Sequence, residues 1–115
     1  MSENQIQAAC FQWHWNTYPL ERMRLFMNYN NPPNKIMGGQ LRAQGMVAGV
    51  ADMQYLLPQG RVAFIEFKNE IGKQGTEQKK FEEVCLSLNI PYFICRYLEE
   101  FKKIILSLSA TIELV

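Results

Sequence analysis

Two apolar runs flank Pro58-Gln59-Gly60, and their alternation leaves little choice but a β-hairpin over residues 49–68. Met53, Tyr55 and Leu57 alternate with Gln54 and Leu56. On the return, Val62, Phe64 and the run Ile65 to Phe67 are rich in β-formers. If Gln59 is the centre of the turn, residues equally far from it pair, and Asp52 faces Glu66. Directly opposed Cβ atoms lie about 4.5–5.5 Å apart. Lys68, two residues beyond Glu66, projects from the same face. Adjacent carboxylates repel unless a proton or a cation lies between them. A hard divalent cation takes oxygen ligands, commonly one or two carboxylates with waters and phosphate oxygens. A neighbouring lysine can hold a water or offset charge on a phosphate. These are the parts of metal-assisted phosphodiester hydrolysis. A surface ion-pair cluster on a solvated strand face is the competing reading, and the hairpin alone does not choose between them.

A chain of 115 residues is expected to form one domain over 1–115, large enough for a core. Apolar residues are 48% and charged residues 20% of the chain, which is globular rather than disordered composition. A formal charge of +1 counts against a strongly basic nucleic-acid binder but permits a local basic patch beside an acidic site. Cys10, Cys85 and Cys95 are odd in number, widely spaced and set among apolar residues. They read as buried free thiols in a reducing compartment. The opening Met-Ser-Glu-Asn-Gln lacks the features of a signal peptide. No stretch reaches the roughly 18 apolar residues of a membrane span. The expectation is a soluble, intracellular protein with no membrane partner.

Along the chain, Ser2 can cap a helix that begins at Glu3, with Ile6, Ala9, Cys10, Trp13 and Thr17 on its buried face. His14 is the sole histidine and reads as a surface or partly packed residue. Trp13 reads as core, and Trp15 as exposed and open to a partner. Tyr18-Pro19 ends the helix. Arg22 to Tyr29 reads as a strand with Met23, Leu25 and Met27 on one side. Asn28 to Lys35 is a loop whose amides serve either turn chemistry or a nucleic-acid backbone. Gly38 to Gly45 reads as a short helix, with Arg42 the best basic candidate for a phosphate. Gly49 and Ala51 leave room for a substrate to approach the backbone, unless Gly49 serves only a bulge.

Asn69 to Gly75 reads as a turn containing Lys73. A helix follows from about Thr76 to Leu88, with Phe81, Val84, Cys85 and Leu88 as its apolar stripe. Gln78 falls on that face at the end nearest the hairpin's charges. A polar group there needs a partner, either a water or phosphate at the site or a backbone group. Lys73, Lys79 and Lys80 form a basic approach or are solvated helix charges. Pro91 to Tyr97 reads as a buried strand, and Glu99 to Leu108 as a last helix with Phe101, Ile104, Ile105 and Leu108 inward. Thr111 to Val115 is β-prone and suits an edge strand or pairing with another subunit. The order predicts an α/β fold, a mixed central sheet flanked by helices.

Asp52 followed by Glu66-Phe67-Lys68 resembles the Asp…Glu-X-Lys pattern of the PD-(D/E)XK nuclease superfamily. Gly38-Gly-Gln-Leu-Arg-Ala-Gln-Gly45 with Gly49-Val-Ala-Asp52, and Gly72-Lys-Gln-Gly-Thr-Glu-Gln78, resemble its virus-type replication-repair nuclease (VRR-NUC) family. The resemblance runs from about residue 3 to about residue 100. Ala51 stands where the superfamily name has Pro. Gly75 stands where the family has Ser or Thr, so Thr76 is the candidate helix cap.

The resemblance implies a restriction-endonuclease-like core and a Mg²⁺- or Mn²⁺-dependent DNA endonuclease. Asp52, Glu66 and the Phe67 carbonyl would hold the metal, with Glu3 completing the shell through a water. Lys68 would position or activate the attacking water, and Gln78 would orient the water or phosphate. Arg42, Lys73 and Lys79 are candidate DNA contacts. The family also implies branched or Holliday-junction-like DNA, a homodimer, and a phage or other mobile-element origin. The alternatives are a noncatalytic DNA-binding or assembly subunit of the same fold, and a metal hydrolase acting on RNA or a small molecule.

Overall fold

The computed structural model describes residues 1–113. Helix α1 (Glu3–Thr17) starts as expected at Ser2, whose Oγ accepts from the Gln5 amide while Gln5 Oε1 accepts from the Ser2 amide. Its buried stripe is Ile6, Cys10 and His14, an i, i+4, i+8 row rather than the row predicted. Trp13 and Ala9 are half-buried and Thr17 is exposed.

His14 is therefore not a surface residue: it is 2% exposed. Its burial is tolerated because a 3-10 turn, Pro19–Glu21, brings Glu21 Oε1 to 3.0 Å from His14 Nε2. The Tyr55 hydroxyl donates to the same carboxylate oxygen. Burial holds the His14 pKa below its usual value, against the pull of Glu21. That turn and a left-handed Met23 (φ 78°) shorten the expected strand to β1 (Leu25–Met27). Only Leu25 of the predicted Met23, Leu25, Met27 side is buried.

Helix α2 (Lys35–Ala43) begins earlier than the glycines suggested, because Asn34 Oδ1 accepts from the Met37 amide and caps it. Strands β2 (Met53–Leu57) and β3 (Arg61–Phe67) form the predicted hairpin in the predicted register. Met53 pairs with Ile65 and Tyr55 with Ala63, symmetric about Gln59, which takes a left-handed φ of 66°. Helix α3 (Thr76–Ser87) then crosses to β4 (Tyr92–Cys95), which runs parallel to β3 with Phe64 beside Tyr92 and Phe67 beside Cys95. The sheet order is β1-β2-β3-β4, mixed as expected.

Helix α4 (Leu98–Glu113) buries Phe101, Ile104, Ile105 and Leu108, the four residues its spacing predicted. The helix continues through residues 111–113, so the β-prone reading of Thr111–Val115 fails there. Residues 114 and 115 lie outside the described residues.

The core lies between one sheet face and the pair α1 and α4. Leu25, Met53, Tyr55, Ala63, Ile65, Phe67 and Cys95 meet Ile6, Cys10 and Phe101 there. Phe101 stacks tilted on Phe67, ring centroids 6.1 Å apart, and meets Trp13 edge-on. The opposite sheet face carries α3, anchored by Phe81 edge-on to Phe64 at 5.0 Å. Of the predicted α3 stripe, Cys85 is buried but Val84 is 52% and Leu88 64% exposed. A single helix on that side turns only one edge of its stripe to the sheet. All three cysteines are buried free thiols. No helix among the described residues is long and apolar enough to cross a membrane.

Candidate active site

Side chains alternate across β3. Ala63, Ile65 and Phe67 face the core, while Val62, Phe64 and Glu66 face α3. Continuing the β2–β3 register one step beyond Met53 and Ile65 sets Asp52 opposite Glu66. The Phe67 amide donates to Asp52 Oδ2 at 2.7 Å, closing the end of the hairpin through a side chain. A strand residue turns its N–H and C=O to the same edge, so the Phe67 carbonyl also looks toward Asp52.

The loop after β1 fixes the Asp52 segment from the other side. The Asn28 amide donates to the Asp52 carbonyl at 2.8 Å, Asn28 Nδ2 to the Ala51 carbonyl at 2.9 Å, and Asn30 Nδ2 to the Val50 carbonyl at 2.7 Å. Gln54 Nε2 in turn donates to Asn28 Oδ1 at 2.8 Å. The amides of Asn28 and Asn30 thus serve backbone anchoring. Gly49 has a different role from the substrate approach expected of it. Its φ is +85°, and a Cβ there would lie 2.3 Å from the Glu77 carbonyl oxygen. The first turn of α3 seats directly on it.

Glu66 is 0% exposed, and among the described residues neither carboxylate oxygen meets a donor in good hydrogen-bond geometry. Burial is the main force raising its pKa; Asp52 adds to this and Lys68 opposes it. Tyr92 and Gln74 flank it and favour its charged form slightly, but the Gln74 amide donates to the Tyr92 hydroxyl at 3.2 Å. Asp52 is also pushed up, first by burial, against the Phe67 amide and Lys68. Lys68 is nearly buried and lies 3.9 Å from Glu3 Oε1 across an ion pair.

Behind that pair runs the Asn69–Gly72 turn. Asn69 Oδ1 accepts from the Gly72 amide at 2.7 Å. Arg96 Nη1 donates to the carbonyls of both Asn69 and Gly72, each at 2.8 Å. A Cβ on Gly72 would come within 3.0 Å of Glu3 Oε2. The turn is therefore a close wall behind Glu3 and Lys68.

The structure brings Asp52, Glu66, Lys68 and Glu3 together. Gln78 sits half-buried in the first turn of α3, with its Oε1 accepting from the Gly75 amide at 2.7 Å. Gly75 is the N-cap residue, and this reach-back from Gln78, rather than Thr76, caps the helix. Arg42, Lys73 and Lys79 are exposed on α2, the loop before α3, and α3. Sequence reasoning missed Tyr92, Gln74, Asn69 and Arg96, whose placement depends on how β4 pairs with β3. It also missed the anchoring by Asn28, for which the asparagine-rich loop was the available signal.

Two neighbouring carboxylates, of which Glu66 is wholly buried, suit a hard divalent cation. Among the described residues no three His, Cys, Asp or Glu side chains gather as a metal cage. An ion here would hold Asp52, Glu66, the Phe67 carbonyl, and water or substrate oxygens, which is the partial protein shell usual for Mg²⁺.

No protein-family model matches this sequence, and no curated protein matches it significantly. Solved structures do. One named "VRR_NUC domain protein" superposes with a TM-score of 0.68 at 14% identity, over 94% of this chain and 88% of that one. Another, named "VRR_NUC domain", gives a TM-score of 0.58 at 17% identity, over 90% of this chain and 92% of that one. The α/β fold built here, a four-stranded mixed sheet with helices on both faces, is thus the fold of these VRR_NUC domains.

Proposed function

We propose that this chain is a divalent-metal-dependent DNA endonuclease, acting on branched or Holliday-junction-like DNA as a homodimer. The observation that carries the reading is Glu66, a wholly buried carboxylate that makes no well-formed hydrogen bond among the described residues, beside Asp52 and Lys68. An unpaired buried charge is costly, so such a group is held neutral or faces a cation. Bound Mg²⁺ or Mn²⁺ would supply positive charge at the scissile phosphate and a more acidic water. Asp52 and Glu66, aided by the Phe67 carbonyl, are the residues to hold that ion, with Glu3 contributing through a water. Lys68, restrained by Glu3, holds the attacking water or offsets phosphate charge. Gln78 sits on the α3 turn that seats on Gly49, its amide nitrogen without a hydrogen-bond partner among the described residues, and that group would orient water or phosphate. Arg42, Lys73 and Lys79 would contact the DNA backbone. A two-fold dimer would present two such sites to a symmetric junction.

The test is cleavage of a labelled four-way junction against linear duplex of the same sequence, in Mg²⁺, Mn²⁺ and EDTA, with Glu66→Ala in parallel. Metal-dependent cutting that the variant loses, and that favours the junction, is the expected result. Junction binding without cutting under any metal would replace this reading with the noncatalytic DNA-binding subunit.

A further inference from the structure

A cation bound through one oxygen of Glu66 leaves the second oxygen buried beside it, and a buried carboxylate oxygen needs a donor. Two donors at the same strand end are engaged elsewhere. The Phe67 amide donates to Asp52 Oδ2 at 2.7 Å, and Lys68 Nζ pairs with Glu3 Oε1 at 3.9 Å. Among the described residues, the uncharged polar side chains beside Glu66 are Tyr92 on β4 and Gln74 in the loop before α3.

Tyr92 pairs with Phe64 in the parallel ladder, and Glu66 lies two residues beyond Phe64 on the same sheet face. Tyr92 therefore approaches Glu66 along a diagonal, a span that aromatic side chains cover. Its ring is held from the α3 side by Phe81, ring centroids 6.2 Å apart, and Phe81 meets Phe64 edge-on at 5.0 Å. Packing of the ring thus sets where the hydroxyl lies. Gln74 then gives that hydroxyl a direction. Its Nε2 donates to the Tyr92 oxygen at 3.2 Å, so the hydroxyl proton is left for a second acceptor. A phenol keeps its proton at neutral pH. Glu66 is the acceptor beside it. A hydroxyl that accepts one hydrogen bond is also a stronger donor of the next.

We propose that Tyr92 is a positioning residue for Glu66: its hydroxyl, held by the Gln74 amide, donates to one carboxylate oxygen and turns the other toward the cation shared with Asp52. This rests on reading Asp52 and Glu66 as metal ligands. Glu66 is then a ligand through one oxygen, with its second oxygen satisfied by protein. Tyr92 and Gln74 touch neither substrate nor ion. They act through the orientation of the carboxylate, as hydrogen-bond partners of ligating carboxylates do.

The experiment is Mn²⁺ titration of the DNA-free protein, with free Mn²⁺ read by its electron paramagnetic resonance signal. Wild type, Tyr92→Phe, Gln74→Ala, the double variant and Glu66→Gln are compared. Tyr92→Phe keeps the ring against Phe81 and loses the hydroxyl alone. It should weaken Mn²⁺ binding about 10- to 100-fold. Gln74→Ala should weaken binding by a smaller factor in the wild-type background. In the Tyr92→Phe background it should have no effect, because it acts through the hydroxyl. A glutamine that only supports the loop would add the same loss in both backgrounds.

Mn²⁺ affinity unchanged in Tyr92→Phe, while Glu66→Gln loses binding, would overturn the proposal and leave the metal site standing. Additive losses from the two substitutions would overturn it as well. Wild type that binds no Mn²⁺, or binds it no better than Glu66→Gln, would remove the metal reading and the proposal together. If Tyr92→Phe lowers the Tm in EDTA, Gln74→Ala decides the matter, since Gln74 lies outside every helix and strand. Unchanged Mn²⁺ affinity in that variant would then overturn the proposal.

Discussion

Asp52 Oδ2 accepts the Phe67 amide at 2.7 Å, so the acid at the start of β2 is held by the backbone next to Glu66. One carboxylate oxygen is fixed in the sheet ladder, and the group's charge is left beside the buried Glu66. The two functions of Asp52, fastening the hairpin and supplying charge, can be separated by substitution.

Asp52→Asn keeps an acceptor for the Phe67 amide and removes the charge. We expect stability within about 1 kcal/mol of wild type and metal-dependent cleavage reduced roughly 100-fold or more. Asp52→Ala should lose both. Denaturant melts beside junction cleavage assays check this; an Asn variant that cuts at the wild-type rate would remove Asp52 from the metal shell.

Glu66→Gln tests the cation directly, without turnover. Burial raises the folded pKa of Glu66 above its ordinary 4.5. The folded protein then keeps a proton that the unfolded chain releases, so this stability is full below about pH 4.5 and lost as pH rises through the folded value. Asp52 shifts the same way. In EDTA at pH 8, Glu66→Gln should be more stable than wild type by about 1–3 kcal/mol, a difference that vanishes by pH 4. Added Mg²⁺ or Mn²⁺ should raise the wild-type Tm and leave the variant unmoved. Equal metal-induced shifts in both proteins would count against Glu66 as a ligand.

Gly49→Ala should be among the most damaging single substitutions. It combines a left-handed backbone with a Cβ 2.3 Å from the Glu77 carbonyl oxygen. Strain and overpacking together predict a loss of about 2–4 kcal/mol. Gly60→Ala, at φ +71° with open space around it, should cost only about 1 kcal/mol. Thermal melts of the two variants give the comparison; equal losses would mean that α3 does not depend on Gly49.

Arg96→Ala removes both of the arginine's bonds to the Asn69–Gly72 turn behind Lys68 and Glu3. We expect turnover to fall about 10- to 100-fold while junction affinity stays near wild type. Arg96→Lys, with one flexible donor group, should recover part of the rate. A fall in affinity with unchanged turnover would place Arg96 in DNA binding instead.

Much of this architecture could be read from local pattern. The hairpin register followed from the turn at Gln59, the α1 start from the Ser2 cap, and the α4 face from the spacing of Phe101, Ile104, Ile105 and Leu108. Asp52, Glu66 and Lys68 converge because Glu66 lies on β3, Lys68 directly follows that strand, and a tight turn joins β3 to the strand that Asp52 precedes. What stayed hidden depends on distant partners. His14 is buried because Glu21 and Tyr55 satisfy it. Val84 and Leu88 of α3 are exposed because the sheet meets only one edge of that helix. Tyr92 and Arg96 reach the site through a parallel pairing that no short-range signal specifies.

That parallel pairing also bears on how the molecule comes together. Strands β2 and β3 are neighbours across a tight turn and can meet early, whereas β4 must wait for α3 to cross over. Docking of β4 brings Tyr92 against Glu66 and bonds the Lys68 amide to the Cys95 carbonyl, so we expect the Glu66 carboxylate to lose its water only at that step. We expect metal to accelerate this final phase and not the hairpin, which pulse-labelled hydrogen exchange would resolve; a metal-independent last phase would contradict it. A chain still emerging from synthesis would carry Asp52 and Glu66 in an open, hydrated form until β4 is home.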